Sequence, residues 1–304
     1  MDLIFELMTE NLIRFEDYLL KEKKYSLHTV KAYVRDLLLF FDYLLEIKGG
    51  ELEEVNYSLV RSWVVILVDS GLSNLTVNRK MASLTAFYKF LLKIKVIDVS
   101  PMSQHKSLKA KRKIQIPFSE KELEMMLNDV QYDQDYEGCR DKLIINLLYT
   151  TGIRRSELIG LKIESVDFDI KVLKVLGKRN KERIIPVLDV ILSEIKVYLD
   201  KRKELSCIID EKYLFLLHNG KKINETFVYR LINYYLSLVS EKVKKSPHVL
   251  RHTFATHMLN RGADLNSIKE FLGHSSLAST QVYTQSSLGQ IKEVYKKAHP
   301  RGRK

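Results

Sequence analysis

Six side chains in the second half of this 304-residue chain suit a single task. Arg154, Lys178, His248, Arg251 and His274 are cations or hydrogen-bonding groups fit for a phosphate that gains negative charge as it reacts, and Tyr283 follows them as a candidate nucleophile. Guanidinium forks match phosphate oxygens bidentately and stay charged at any working pH. A phenol has a pKa near ~10, so attack requires that its proton leave. A neutral histidine can accept that proton, and a cationic pocket favours the phenolate. A leaving alkoxide needs a proton donor, which a lysine can supply. No carboxylate cluster accompanies the set, so the chemistry expected uses no metal and no other cofactor. The nearest metal pattern is His248 and His252 at i,i+4 with His274 as a third ligand. Lys244, Lys245 and Arg251 would repel a dication there, and the glutamate of an HExxH site is lacking.

The sequence places these side chains at element boundaries. DIKVLKVLGKRNKERIIPVL reads as two short strands, at 170–176 and 182–187, joined by Gly177-Lys178-Arg179-Asn180 with Lys178 at the tip. Ser246-Pro247 predicts a helix start, Ser as N-cap and Pro at the first helical position. His248 and Arg251 then lie three residues apart on one face near that start, where free N–H groups and the dipole favour an anion. Thr151-Gly152 similarly precedes Arg154 at the start of a helix running SELIGL. Asp264 caps NSIKEFL, Gly273 ends it, and His274 falls in the joint before a helix that carries Tyr283. Each residue has a plainer reading. Arg251 could serve a structural ion pair, His248 and His252 could pack, Lys178 could be a turn lysine, and Tyr283 is one of 16 tyrosines.

Upstream the chain reads as helices. One spans about Thr9–Glu22. A second opens at Ser26 and carries Val30, Tyr33, Leu37, Phe40, Phe41 and Leu44 on one stripe. After Gly49-Gly50 a third covers Ser58–Asp69, and a fourth, capped by Ser73 or Asn74, covers Leu75–Leu92. The expected division is a helical domain at 1–98, a basic linker at 99–118, and a second, mostly helical domain at 119–304 opened by Ser119 as a cap.

Charge supports that division. Residues 1–98 hold 13 Lys+Arg against 14 Asp+Glu, residues 99–113 five against none, and residues 114–304 hold 32 against 24. The net charge of +12 therefore sits in one short segment and the C-terminal part. Lys106, Lys109, Lys111, Arg112 and Lys113 could lie along a nucleic-acid backbone and release its counterions, or could simply be a solvated linker. Cys139 and Cys207 stand far apart without a CxxC pattern, as in a reducing cytosol. The acidic start MDLIFELMTEN is unlike a secretory signal, and no apolar run approaches the ~20 residues of a membrane helix.

TGIRRSEL, LGKRNKERIIP, SPHVLRHTFATHML and LGHSSLASTQVYT resemble, in order and spacing, the boxes of the tyrosine recombinases of the phage integrase family. SLHTVKAYVRDLLLF resembles their N-terminal DNA-clamping domain, and AHPRGRK resembles the tail of the Xer subgroup, its XerC branch more than its XerD branch. The resemblance covers nearly the whole chain. It implies a mainly α fold with a small antiparallel β region: a four-helix SAM-like DNA-binding domain and an α-rich catalytic domain, together a clamp around duplex DNA. It implies cleavage and rejoining of DNA through a 3′-phosphotyrosine on Tyr283, without metal or ATP. Arg154 and Arg251 would clamp the phosphate, Lys178 would protonate the leaving 5′-oxygen, His248 and His274 would complete the pocket, and Glu157 would orient a neighbour. A homo- or hetero-tetramer with a second recombinase, a tail docked on a neighbour, a septal DNA translocase as partner, and chromosome dimer resolution in the cytoplasm follow from the same resemblance. The family's hairpin commonly reads GKG, whereas Arg179 follows Lys178 here, which makes Lys181 a rival for the acid role. An integrase of a mobile element would share this chemistry, and a DNA-binding protein without catalysis would share the fold.

Overall fold

The computed structural model describes residues 2–48, 55–110, 115–177, 182–273, 292–295 and 297–302. The chain divides into two compact units, Met1–Lys113 and Ile114–Lys304.

The first unit is built from α1 (Asp2–Asp17), α2 (Leu27–Lys48), α3 (Tyr57–Asp69) and α4 (Asn74–Lys93). The first helix begins earlier than its sequence pattern suggests and ends in a π-helical turn at Tyr18–Glu22. The Ser26 hydroxyl accepts from the Thr29 N–H, and Asn56 and Ser73 cap α3 and α4 in the same way. Most of the expected stripe of α2 is buried: Val30, Leu37, Phe40, Phe41 and Leu44 join a core with Trp63, Phe15 and Phe87, and Tyr33 packs half-buried against it. Among the described residues of this unit, Asp36 is a buried carboxylate. Asp36 accepts from Arg79, from Lys80 Nζ (3.2 Å) and from Ser83 Oγ (2.9 Å), tying α2 to α4. Burying a carboxylate costs several kcal/mol unless it is paired, so these partners also fix how the two helices meet.

The second unit is centred on α6 (Tyr136–Thr151), which is buried along most of its length. Around it lie α5 (Glu120–Glu124), α7 (Arg155–Gly160), α8 (Asp189–Arg202), α9 (Glu225–Val239), α10 (Pro247–Asn260) and α11 (Leu265–Leu272). Ser119 opens α5 with a reciprocal capping box to Glu122, and Asp264 caps α11. The β region is a three-stranded antiparallel sheet: β1 (Val166–Asp167), β2 (Val172–Leu176) and β3 (Glu182–Pro186). The two longer strands are those read from the sequence, in the register Leu176↔Glu182 and Val172↔Pro186. The short β1, paired through Val166↔Leu173, went unread because two residues carry no period. No described helix is long and apolar enough to cross a membrane.

Two buried histidines stitch this unit together. The carbonyl of Phe118 can only accept, so His257 Nε2 carries the proton and donates to it (2.9 Å), which leaves Nδ1 of the neutral ring to accept from the Tyr149 hydroxyl (3.0 Å). Burial lowers the His257 pKa. Near the C-terminus, Tyr295 donates to Thr150 O (2.8 Å), Arg301 to Asn146 Oδ1 (2.7 Å), and His299 packs among Tyr149, Phe254 and Tyr295. The resemblance implies a tail docked on a neighbour; in this single chain, these tail residues lie against their own unit. Burial pushes the His299 pKa down to about 3, so the folded protein resists protonation where the unfolded chain, near 6.5, accepts it. The unfolded state therefore binds more protons below pH 6.5, and stability falls as pH falls. We expect urea melts of the full chain to lose about 2 kcal/mol from this group between pH 6.5 and 5, and His299→Gln to flatten that slope.

Candidate active site

Two helix ends and one carboxylate assemble the site. Helix α6 stops at Gly152 (φ +57°) and α11 at Gly273 (φ +65°), both in the left-handed conformation that glycine adopts without strain. Carbonyls in the last turn of a helix lack intrahelical partners and carry its negative dipole end. Here they face arginines. Arg251, buried on α10, donates Nη1 to Gly152 O (2.5 Å) and Nη2 to Leu272 O (2.7 Å). Arg154 donates Nη2 to Gly273 O (3.4 Å). Space also favours glycine: a Cβ at Gly152 would lie 2.6 Å from Phe254 Cδ1, closer than real Cβ contacts, and one at Gly273 would press on Arg183 Cδ at 3.1 Å.

Glu157 joins these groups. Arg154 occupies the N-cap position of α7, where Glu157, three residues on, accepts its backbone N–H on Oε2 (2.7 Å) and its Nη1 on Oε1 (2.7 Å). Arg183 on β3 grips the same carboxylate, Nη1 to Oε1 (2.7 Å) and Nη2 to Oε2 (2.9 Å). Burial alone would raise the Glu157 pKa, but the hydrogen bonds and charges of Arg183 and Arg154 hold it at about 2. Burial lowers Arg251 to about 10, helped by the nearby Arg154 and Arg183 and opposed by Glu157, so Arg251 stays charged at neutral pH. Three guanidinium cations and one carboxylate give this cluster a net charge of +2. Repulsion among the cations is relieved by an anion, and the Arg154 side chain is 34% exposed to receive one.

The sequence-read residues fall into three groups. Arg154, Glu157 and Arg251 come together as described. His248 lies exposed in the first turn of α10, behind Ser246 and Pro247, whose positions are those expected. Lys178, its rival Lys181, His274 and Tyr283 lie outside the described residues. So do Lys111, Arg112 and Lys113, whereas Lys106 and Lys109 are exposed. The backbone beside those two lysines is held to α4: Asn78 accepts from Leu108 N–H and donates to Leu108 O (both 2.8 Å), and Asn74 donates to Lys109 O (2.8 Å). Among the described residues no three His, Cys, Asp or Glu gather as metal ligands.

Arg183 was missed in the sequence. The signal was present: strand alternation puts Arg183 on the same face as Ile185, which is buried. An arginine at an inward strand position calls for a buried acid.

Comparison with known proteins identifies the family. The model of the Phage integrase family matches residues 117–289, and the model of its N-terminal SAM-like domain matches residues 12–95. A protein of Chlorobaculum tepidum named tyrosine recombinase XerC is 37% identical, the alignment covering 91% of this chain and 90% of that one. A tyrosine recombinase XerD of Shewanella oneidensis is 35% identical over 95% and 96%. In fold, the chain is similar to the XerH site-specific recombinase bound to a palindromic difH substrate, with a TM-score of 0.70, 21% identity, and coverage of 93% of this chain and 83% of that one. Family models over both units, relatives aligned nearly end to end and a shared mainly α architecture show that this chain belongs to the phage integrase family, among the tyrosine recombinases of the Xer group.

Proposed function

We propose that this protein is a site-specific recombinase that cuts and rejoins duplex DNA through a phosphotyrosine. The observation that carries the reading is the cluster of Arg154, Arg183 and Arg251 around Glu157, a +2 site where two helix ends meet, in a chain of this family. Tyr283 attacks the scissile phosphorus, the P–O5′ bond breaks, and a 3′-phosphotyrosine and a free 5′-hydroxyl result. Arg154 and Arg251 hold the non-bridging oxygens, which carry more charge in the pentavalent transition state than in the ground state. Lys178 gives its proton to the leaving 5′-oxygen, and His248 and His274 complete the pocket. The phosphotyrosine keeps the energy of the phosphodiester, so attack by a 5′-hydroxyl reverses the step without ATP.

The names of the relatives favour the Xer role, chromosome dimer resolution in the cytoplasm. A tetramer with itself or with a second recombinase, and activation by a septal DNA translocase, belong to that reading. Lys106 and Lys109, presented by a backbone pinned to α4, would contact the DNA backbone together with Lys111, Arg112 and Lys113.

Nicked suicide duplexes test the chemistry. We expect a covalent protein–DNA adduct that forms in EDTA and is abolished by Tyr283→Phe; an adduct that survives the substitution rules out Tyr283 as nucleophile. Lys178→Ala should slow cleavage on the order of 100-fold and be rescued by a 5′-thio leaving group, which needs no proton. Stronger rescue of Lys181→Ala would move the acid role there. Asn78→Ala should weaken duplex binding about threefold to tenfold by releasing the pinned segment, with the salt dependence of binding unchanged because no cation is lost.

A further inference from the structure

Arg183 joins the carboxylate of the arginine cluster to the end of α11. Its two terminal nitrogens take both oxygens of Glu157, at 2.7 and 2.9 Å, and its Nε donates to Phe271 O (3.3 Å). Three consecutive carbonyls at the end of α11 thus each accept from a different arginine: Phe271 from Arg183, Leu272 from Arg251 and Gly273 from Arg154. Arg183 is buried, and its side chain packs under Gly273.

We propose that Arg183 is a positioning residue for strand cleavage, one that shares Glu157 so that Arg154 is oriented for the scissile phosphate without being neutralised. This rests on the reading of Arg154, Arg251 and Tyr283 as the reacting site. A carboxylate paired with one guanidinium cancels its charge, whereas a carboxylate gripped by two leaves +1 on the trio. With Arg251 the cluster carries +2. A phosphodiester carries one negative charge and its pentavalent transition state two, so the cluster matches the transition state better than the ground state. Without Arg183 the cluster falls to +1, and Glu157, left with Arg154 as its remaining arginine, competes with the phosphate for it. Arg183 itself need never touch DNA.

The test uses the full chain and a nicked suicide duplex bearing the site that the wild-type protein cleaves. In Arg183→Gln we expect adduct formation at saturating DNA to slow about 10- to 100-fold, the scale on which orienting partners of a catalytic group act. Duplex affinity should stay within about threefold. Charge balance makes a sharper expectation: Arg183→Gln combined with Glu157→Gln restores +2, so the double variant should cleave at least about threefold faster than Arg183→Gln alone. A role confined to stability predicts a double variant no faster than the single one. Cleavage by Arg183→Gln at the wild-type rate, or a double variant without rescue, overturns the proposal. If Arg183→Gln does not fold, Arg183→Lys decides. It keeps the charge but loses the fork, and should cleave about threefold to tenfold more slowly with unchanged affinity, while a wild-type rate overturns the proposal. Absence of a wild-type adduct, or an adduct in Tyr283→Phe, would instead overturn the reading of the site.

Discussion

The site depends on one buried negative charge. Glu157 accepts four hydrogen bonds, two from Arg154 and two from Arg183, and through them draws α7 and β3 to the ends of α6 and α11. A carboxylate desolvated to this degree is tolerable only when its oxygens are filled, and removing a partner from such a pair typically costs about 3–5 kcal/mol. The constraint therefore acts in both directions. Glu157 keeps cations close that would otherwise repel one another, and the cations keep Glu157 ionised in a place that favours its neutral form.

Helix polarity does the rest. Anions are usually associated with helix N-termini, and Ser246-Pro247 does present such an end beside His248. The arginines, however, are seated by the opposite ends. Carbonyls of Gly152, Leu272 and Gly273 satisfy guanidinium N–H groups that would be left unpaired on burial, and each such bond fixes a side chain with several rotatable bonds. A planar guanidinium has five donors, enough to be held by carbonyls and still present N–H groups to a ligand. Lysine could not do both. The first unit repeats the device on a smaller scale, with Asp36 gripped by Arg79, Lys80 and Ser83 between α2 and α4. In each unit a buried acid specifies how remote elements meet, at a site where hydrophobic packing alone would allow sliding.

Much of the architecture was legible because local signals carried it. The stripe on α2 announced its buried face, Ser73, Ser119 and Asp264 announced helix starts by their side-chain caps, and two short apolar runs announced β2 and β3. Tyr18–Glu22 was read as α-helix because a π-helical turn has the same composition, and β1 was too short to show alternation. Segment 99–110 was read as linker from its charge, yet Met102 joins the core of the first unit and Leu108 is tied to Asn78. Nothing local marks an asparagine thirty residues upstream as the partner of a backbone amide.

The amino-acid sequence by itself determined the residue types of the site, their order, and the helix starts beside Arg154, His248 and Arg251, because caps, glycine stops and strand alternation are written within a few residues. Family membership was legible in the same boxes. The tertiary structure alone decided which partners each arginine has. Glu157 could be read as an orienting residue, but that it holds Arg183 as well as Arg154 depends on a contact between α7 and β3, 26 residues apart in the chain. That two backbone carbonyls hold Arg251 depends on two helix ends meeting from residues 99 and 21 positions away. Hydrogen bonds to backbone carbonyls leave no trace in residue identity, since every residue has one, so their geometry emerges only when the chain is folded.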